Sequence, residues 1–131
     1  MYPDFDLLLH DIAEAYRQVI ADLHAAGCRN IQFDDCTWGM IVDKDYWKAR
    51  EGDHATLEAE KYLKINNLAL EDRPADIAFT THICRGNYHS TYACRGAYDP
   101  VAPFVFAQEN VDAFYLEYDD ERSGGFEPLE Y

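Results

Sequence analysis

His82 and Cys84 stand two residues apart in the run Thr80-Thr81-His82-Ile83-Cys84-Arg85-Gly86-Asn87, at the end of an apolar, β-branched stretch. Side chains alternate faces along a strand, so an imidazole and a thiol at this spacing project together. A nitrogen and a sulfur donor side by side suit a borderline-soft cation such as zinc. One H-x-C pair is common by chance. A strand histidine is more often a hydrogen-bonded structural residue, and a buried cysteine a small hydrophobe. The neighbouring segments add weight: one ends in Phe33-Asp34-Asp35 and the other in Leu116-Glu117-Tyr118-Asp119-Asp120. Parity places Asp34, His82, Cys84, Glu117 and Asp119 around one mouth. His82, Cys84 and Glu117 are expected zinc ligands there, and Asp34 is suited to grip an ammonium group.

The elements that must hold these residues alternate. A first helix is capped by Asp4, carries Leu8, Ile12, Tyr16, Val19, Ile20 and Leu23 at three- and four-residue steps, and ends at Gly27. A strand over 31–35 follows, then an irregular stretch over 36–53 with Trp38, Tyr46 and Trp47. A second helix is predicted over 54–70 through Leu57, Ile65 and Leu68, and a second strand from Asp76 to Thr81 or beyond. Asp99-Pro100 signals a short third helix ending near Asn110. The third strand is predicted over 113–118, with a loop over 119–125.

This α-β-α-β-α-β order predicts a parallel sheet covered by helices. Ile31, Phe33, Ile77, Phe79, Ile83, Phe114 and Leu116 give each strand one greasy face, and the opposite face is smaller or polar and ends in reactive residues. An open sheet covered on both sides would be apolar on both. The expected class is therefore α/β, a partial (β/α)8 barrel of about three βα units with its chemistry at the C-terminal mouth. A closed barrel needs roughly 250 residues. Residues 1–131 are thus expected to be a partial catalytic barrel domain, truncated at both ends or completed by another copy of the chain, since open edges expose unpaired N–H and C=O groups.

Composition narrows the functional classes. The 131 residues are 48% hydrophobic and 15% aromatic, which fits a folded domain. Eleven Lys and Arg against 25 Asp and Glu give a formal charge of −14, which repels phosphate backbones and anionic membrane surfaces. No nucleic-acid or membrane partner is expected. No apolar run approaches the roughly 20 residues of a membrane span, and Cys28, Cys36, Cys84 and Cys94 are expected as reduced thiols of a cytoplasmic chain. Of the thiols outside the H-x-C pair, Cys36 alone falls near the mouth. Trp38 and Trp47 could stack on a flat ligand but are better read as packing residues. Arg122-Ser123-Gly124-Gly125 is a weak anion-loop signal.

The runs Ile31-Gln32-Phe33-Asp34-Asp35, Thr81-His82-Ile83-Cys84 and Phe114-Tyr115-Leu116-Glu117-Tyr118-Asp119-Asp120-Glu121-Arg122-Ser123-Gly124 resemble the catalytic domain of cobalamin-independent methionine synthase, and most closely its single-domain homocysteine methyltransferase relatives. The resemblance implies a fold like the uroporphyrinogen-decarboxylase barrels. It further implies zinc held by His82, Cys84 and Glu117, and Asp34 against the amino group of homocysteine. The family's fourth protein ligand is a cysteine on a later strand, and no cysteine follows Glu117 here. The expected reaction is transfer of a methyl group to the homocysteine thiol from a donor such as 5-methyltetrahydropteroyl-glutamate, with Asp119 as an acid. The alternatives are a zinc alkyltransferase using another thiol or donor, and an inactive barrel fragment serving as an oligomeric or binding module.

Overall fold

The structure, a computed structural model, describes residues 2–48 and 54–131. Helix α1 spans Phe5–Ala25, and Asp4 caps it by accepting a hydrogen bond from the Asp6 N–H at 3.0 Å. It ends in a Schellman turn: Gly27 takes the left-handed conformation (φ 96°), its N–H reaches the His24 carbonyl, and the Cys28 N–H reaches that of Leu23. Strand β1 is Asn30–Asp34 and β2 is Ala78–Ile83. Strand β3 is Ala113–Leu116, so Glu117 and Tyr118 lie just beyond it. Together they form a parallel sheet in the order β1-β2-β3. This is the expected partial barrel unit.

Three local expectations change. The stretch after β1 is not wholly irregular: α2 (Thr37–Val42) and α3 (Lys44–Trp47) form there. Asp43 ends the first and caps the second, accepting from the Asp45 and Tyr46 N–H groups at 2.8 and 3.3 Å. Helices this short, with Gly39 inside one of them, leave no readable periodicity. After α4 (His54–Leu70) and β2, helix α5 starts at Ala102 rather than at Asp99-Pro100 and runs to Gln108. Val101 and Tyr98 are fully buried and joined by a turn, and Pro103 occupies the first helical turn instead. Finally, α1 buries Leu9, Ala13 and Ile20, while Tyr16, Val19 and Leu23 of the predicted stripe are exposed. A 3₁₀ turn over Glu127–Glu130 is the last element.

The helix-facing side of the sheet makes the core. Ile83 joins Trp38, Ile41 and Val42 of α2, Ala59 and Leu63 of α4, and Tyr98, Val101 and Val105. Phe79 and Ile77 pack with Ile20 and Leu70, flanked by Ile31 and Phe33. The opposite side of the sheet is the one that carries chemistry. Gln32, Asp34 and Tyr115 are exposed on it and His82 is half-buried. Among the described residues, no helix is long and apolar enough to cross a membrane.

Candidate metal centre

The parallel register sets Asp34 directly opposite His82, and His82 opposite Tyr115. Cys84 follows two residues later on the His82 side of β2. Among the described residues, one group of metal-capable side chains converges: a carboxylate oxygen of Asp34, a ring nitrogen of His82 and the Cys84 sulfur lie within 4.8 Å of one another. Asp34 is exposed and the other two are half-buried, so the group opens to solvent at the C-terminal end of the sheet.

Local hydrogen bonds prepare two of these donors. His82 Nδ1 lies 3.1 Å from the Tyr115 carbonyl oxygen. A carbonyl can only accept, so Nδ1 carries the proton and Nε2 keeps its lone pair for a ligand. Backbone contacts of this kind orient metal-ligating imidazoles. The Gly86 N–H donates to the Cys84 sulfur at 3.4 Å and fixes its direction. Gly86 holds a left-handed conformation (φ 69°), and a Cβ there would meet Ala93 Cβ at 2.7 Å, so glycine is required at this turn.

Glu117 differs from expectation. It stands outside the convergent group because other partners hold its carboxylate. Oε1 accepts from the Arg85 N–H at 3.3 Å and from Asn87 Nδ2, and Oε2 pairs with Arg122 Nη2 at 2.9 Å. Arg122 Nη1 also donates to Asn87 Oδ1 at 2.7 Å, closing a ring of contacts. Asp119 is exposed in a left-handed turn (φ 58°), with its N–H on the Gly124 carbonyl, and is not among the converging atoms. The Arg122 and Ser123 N–H groups both donate to Asp120 Oδ1, at 2.9 and 2.7 Å, so this loop does not present them to an external anion. Trp38 is fully buried in the core, and the Trp47 side chain lies outside the described residues.

A supporting network behind the site had no signal in the sequence. Asn66 Nδ2 on α4 donates to Asp35 Oδ2 at 2.9 Å and to Glu109 Oε1 at 3.2 Å, and Thr81 Oγ1 donates to the same Glu109 oxygen at 3.0 Å. Asp35 and Thr81 each precede or follow a site residue in sequence, so this partly buried network fixes the two strand ends that carry Asp34 and His82. Burial pushes the Glu109 carboxyl up to about 7, and the Thr81 and Asn66 bonds only partly oppose it.

Comparison with known proteins places this geometry. A crystal structure of a candidate vitamin-B12-independent methionine synthase from Listeria monocytogenes superposes with a TM-score of 0.73 and is 35% identical over 98% of this chain. The fold is that of a methionine-synthase-like barrel segment. Two Bacillus subtilis proteins, the uncharacterized proteins YxjH and YxjG, are each 42% identical to it, over 100% and 98% of the chain. The chain spans about a third of the length of each of these proteins (34% of the solved structure, 35% of YxjH and 34% of YxjG). No family model matches the chain.

Proposed function

We propose that this chain supplies the metal-binding portion of a zinc-dependent methyltransferase that moves a methyl group onto a thiol. Homocysteine is the proposed acceptor, and a 5-methyltetrahydropteroyl-glutamate the proposed donor, in methionine synthesis in the cytoplasm. One observation carries the reading: oxygen, nitrogen and sulfur donors from Asp34, His82 and Cys84 lie within 4.8 Å of one another at adjacent parallel strand ends. The nitrogen and sulfur of this group fit zinc, and the carboxylate stands beside them. The likeness to the Listeria protein, whose name denotes a methionine synthase, agrees with it.

His82 and Cys84 are the proposed anchors. Glu117 is the third ligand that the sequence resemblance implies, and to serve it must leave Arg122 and Asn87. Asp34 already stands beside the anchors, and its exposed carboxylate is the proposed partner of the substrate's ammonium group. Zinc held here would lower the pKa of a bound thiol, so that its sulfur is a thiolate near neutral pH. In the transfer itself a sulfur–methyl bond forms, the donor's nitrogen–methyl bond breaks, and that nitrogen takes up a proton. Asp119 is the proposed source of the proton.

The test combines metal analysis of the purified protein with a Cys84→Ser variant, and an assay of methyl transfer from a methylated pteroyl-glutamate to homocysteine. The expected result is near-stoichiometric zinc in the parent and its loss in the variant. Equal zinc in both would sink the proposal.

A further inference from the structure

We infer that the groove between α1 and α4, at the C-terminal end of β1, seats a flat, amino-substituted nitrogen heterocycle free of anionic groups, such as the pterin ring of a reduced folate. As a seat for the methyl donor it rests on the proposed methyl transfer; the choice of ring rests on the groove alone. Tyr16 of α1, Tyr62 of α4 and Phe33 of β1 line it. Tyr16 meets Phe33 at a steep angle, with ring centroids 5.4 Å apart, and is 47% exposed, so much of its ring remains open to a ligand. The groove holds about 390 Å³, which lies within the roughly 300–1,000 Å³ of small-ligand sites and is more than an amino acid thiol fills. Aromatic side chains on three separate elements suit a planar ligand, which gains stacking and edge contacts from them.

The polar groups at the end of the groove are acceptors. Asp35 Oδ1 takes the Thr37 N–H at 3.2 Å and Oδ2 takes Asn66 Nδ2 at 2.9 Å, so each oxygen keeps a lone pair. Asn66 spends its amide nitrogen on Asp35 and Glu109, which leaves Oδ1 as an unused acceptor. Asp34 accepts no hydrogen bond and forms no ion pair among the described residues. A ligand that answers these groups presents N–H donors, and the two carboxylates repel a carboxylate or phosphate. An aminopyrimidine edge has its amino group and ring N–H in one plane, so it can meet Asp35 and Asn66 while its faces lie against the tyrosines. Asp34 lines the groove and also belongs to the convergent group with His82 and Cys84, so a ring seated here lies beside the metal centre. The anionic glutamate part of a folate is directed to solvent, and the seat reads the ring rather than the tail.

Isothermal titration calorimetry on the purified, chelator-treated chain tests this with two probes, tetrahydropterin and 4-aminobenzoyl-glutamate. The parent is compared with Tyr16→Ala, Ile12→Trp and Tyr115→Ala, each checked by circular dichroism. Tyr16→Ala removes a half-exposed ring, Ile12→Trp fills the groove from α1, and Tyr115 is an exposed ring on the opposite side of the sheet. The expected result is binding of tetrahydropterin and not of 4-aminobenzoyl-glutamate. Tyr16→Ala should weaken it roughly tenfold, a stacking loss of the usual size, Ile12→Trp should abolish it, and Tyr115→Ala should leave it unchanged. Binding of the tail probe alone, or of neither probe, overturns the inference and leaves the zinc reading to its own metal analysis. Binding lost in Tyr115→Ala but kept in Tyr16→Ala and Ile12→Trp puts the ring on the other side of the sheet and also overturns it. The expected pattern in a chain that takes up no zinc upholds the seat and fails the methyl-transfer reading alone.

Discussion

Glu109→Gln isolates the electrostatic cost of the network behind the site. Glu109 is only 7% exposed, and its Oε1 accepts from Thr81 Oγ1 and Asn66 Nδ2. Burial raises its carboxyl from 4.5 to about 7, with the nearby Asp35 charge adding to the rise. The folded chain therefore holds this proton between about pH 4.5 and 7, where the unfolded chain has released it. A folded state that binds more protons loses stability as pH rises. The contribution is thus intact below about pH 4.5 and lost as pH climbs through 7. A rise of this size corresponds to about 3 kcal/mol, an upper value because local relaxation softens it. Glutamine keeps the acceptor that Thr81 and Asn66 use and never ionises. Denaturant unfolding at pH 5 and pH 8 measures the difference. The variant is expected to match the parent at pH 5 and to exceed it at pH 8 by up to about 3 kcal/mol. Parallel stability curves for the two proteins across this range would refute the reasoning.

Four further outcomes follow from the same geometry. Gly39→Ala places a Cβ 2.8 Å from the Cys84 carbonyl oxygen and 2.9 Å from the Cys94 sulfur, so a melting experiment should show a loss of roughly 1–3 kcal/mol. Arg122→Gln frees Glu117 Oε2 from its ion pair, and zinc competition is expected to show tighter binding; unchanged affinity would argue against Glu117 as a ligand. Arg85 is fully buried, stacked on Tyr98 with the guanidinium 4.4 Å from the ring centroid, and its side-chain nitrogens have no hydrogen-bond partner among the described residues. Replacing an unpaired buried cation with methionine should be neutral or stabilising by about 1–3 kcal/mol, and a clear loss in denaturant unfolding would contradict this. Asp34→Asn should raise the homocysteine KM while leaving zinc content unchanged; coupled loss of zinc would make Asp34 a ligand instead.

Much of the fold was legible because strand parity and helix punctuation are strong local signals. Asp4 and Gly27 bounded α1 as expected, and the parallel sheet followed from the alternation of elements. Parity also placed Asp34, His82 and Cys84 on one face, where the structure brings them together. Glu117 shows the limit of that logic. Its residue lies past the last paired position of β3, and beyond a paired strand the direction of a side chain depends on which partners capture it. Asn87 is distant from it in the chain and Arg122 sits beyond an intervening turn, and neither carries a pattern that would announce the contact. The Asp35–Asn66–Glu109–Thr81 network was hidden for a related reason. Each of its members is an ordinary polar residue, and only the packing of α4 and α5 against the sheet makes them neighbours.

The pairing of Asp34 with His82 makes strand alignment itself a guardian of the chemistry. Were β1 to slide by a single notch, Phe33 or Asp35 would take the place beside the imidazole, and every side chain of the strand would swap sides. A sliding error would therefore bring no gradual decline: greasy residues would meet water just as the imidazole lost its carboxylate neighbour. The Asp35 N–H bond to the His82 carbonyl and the Asn66 Nδ2 bond to the Asp35 carboxylate act as a detent against that slip. A chain that folds with its hydrophobic side inward has, by the same act, assembled the correct donors.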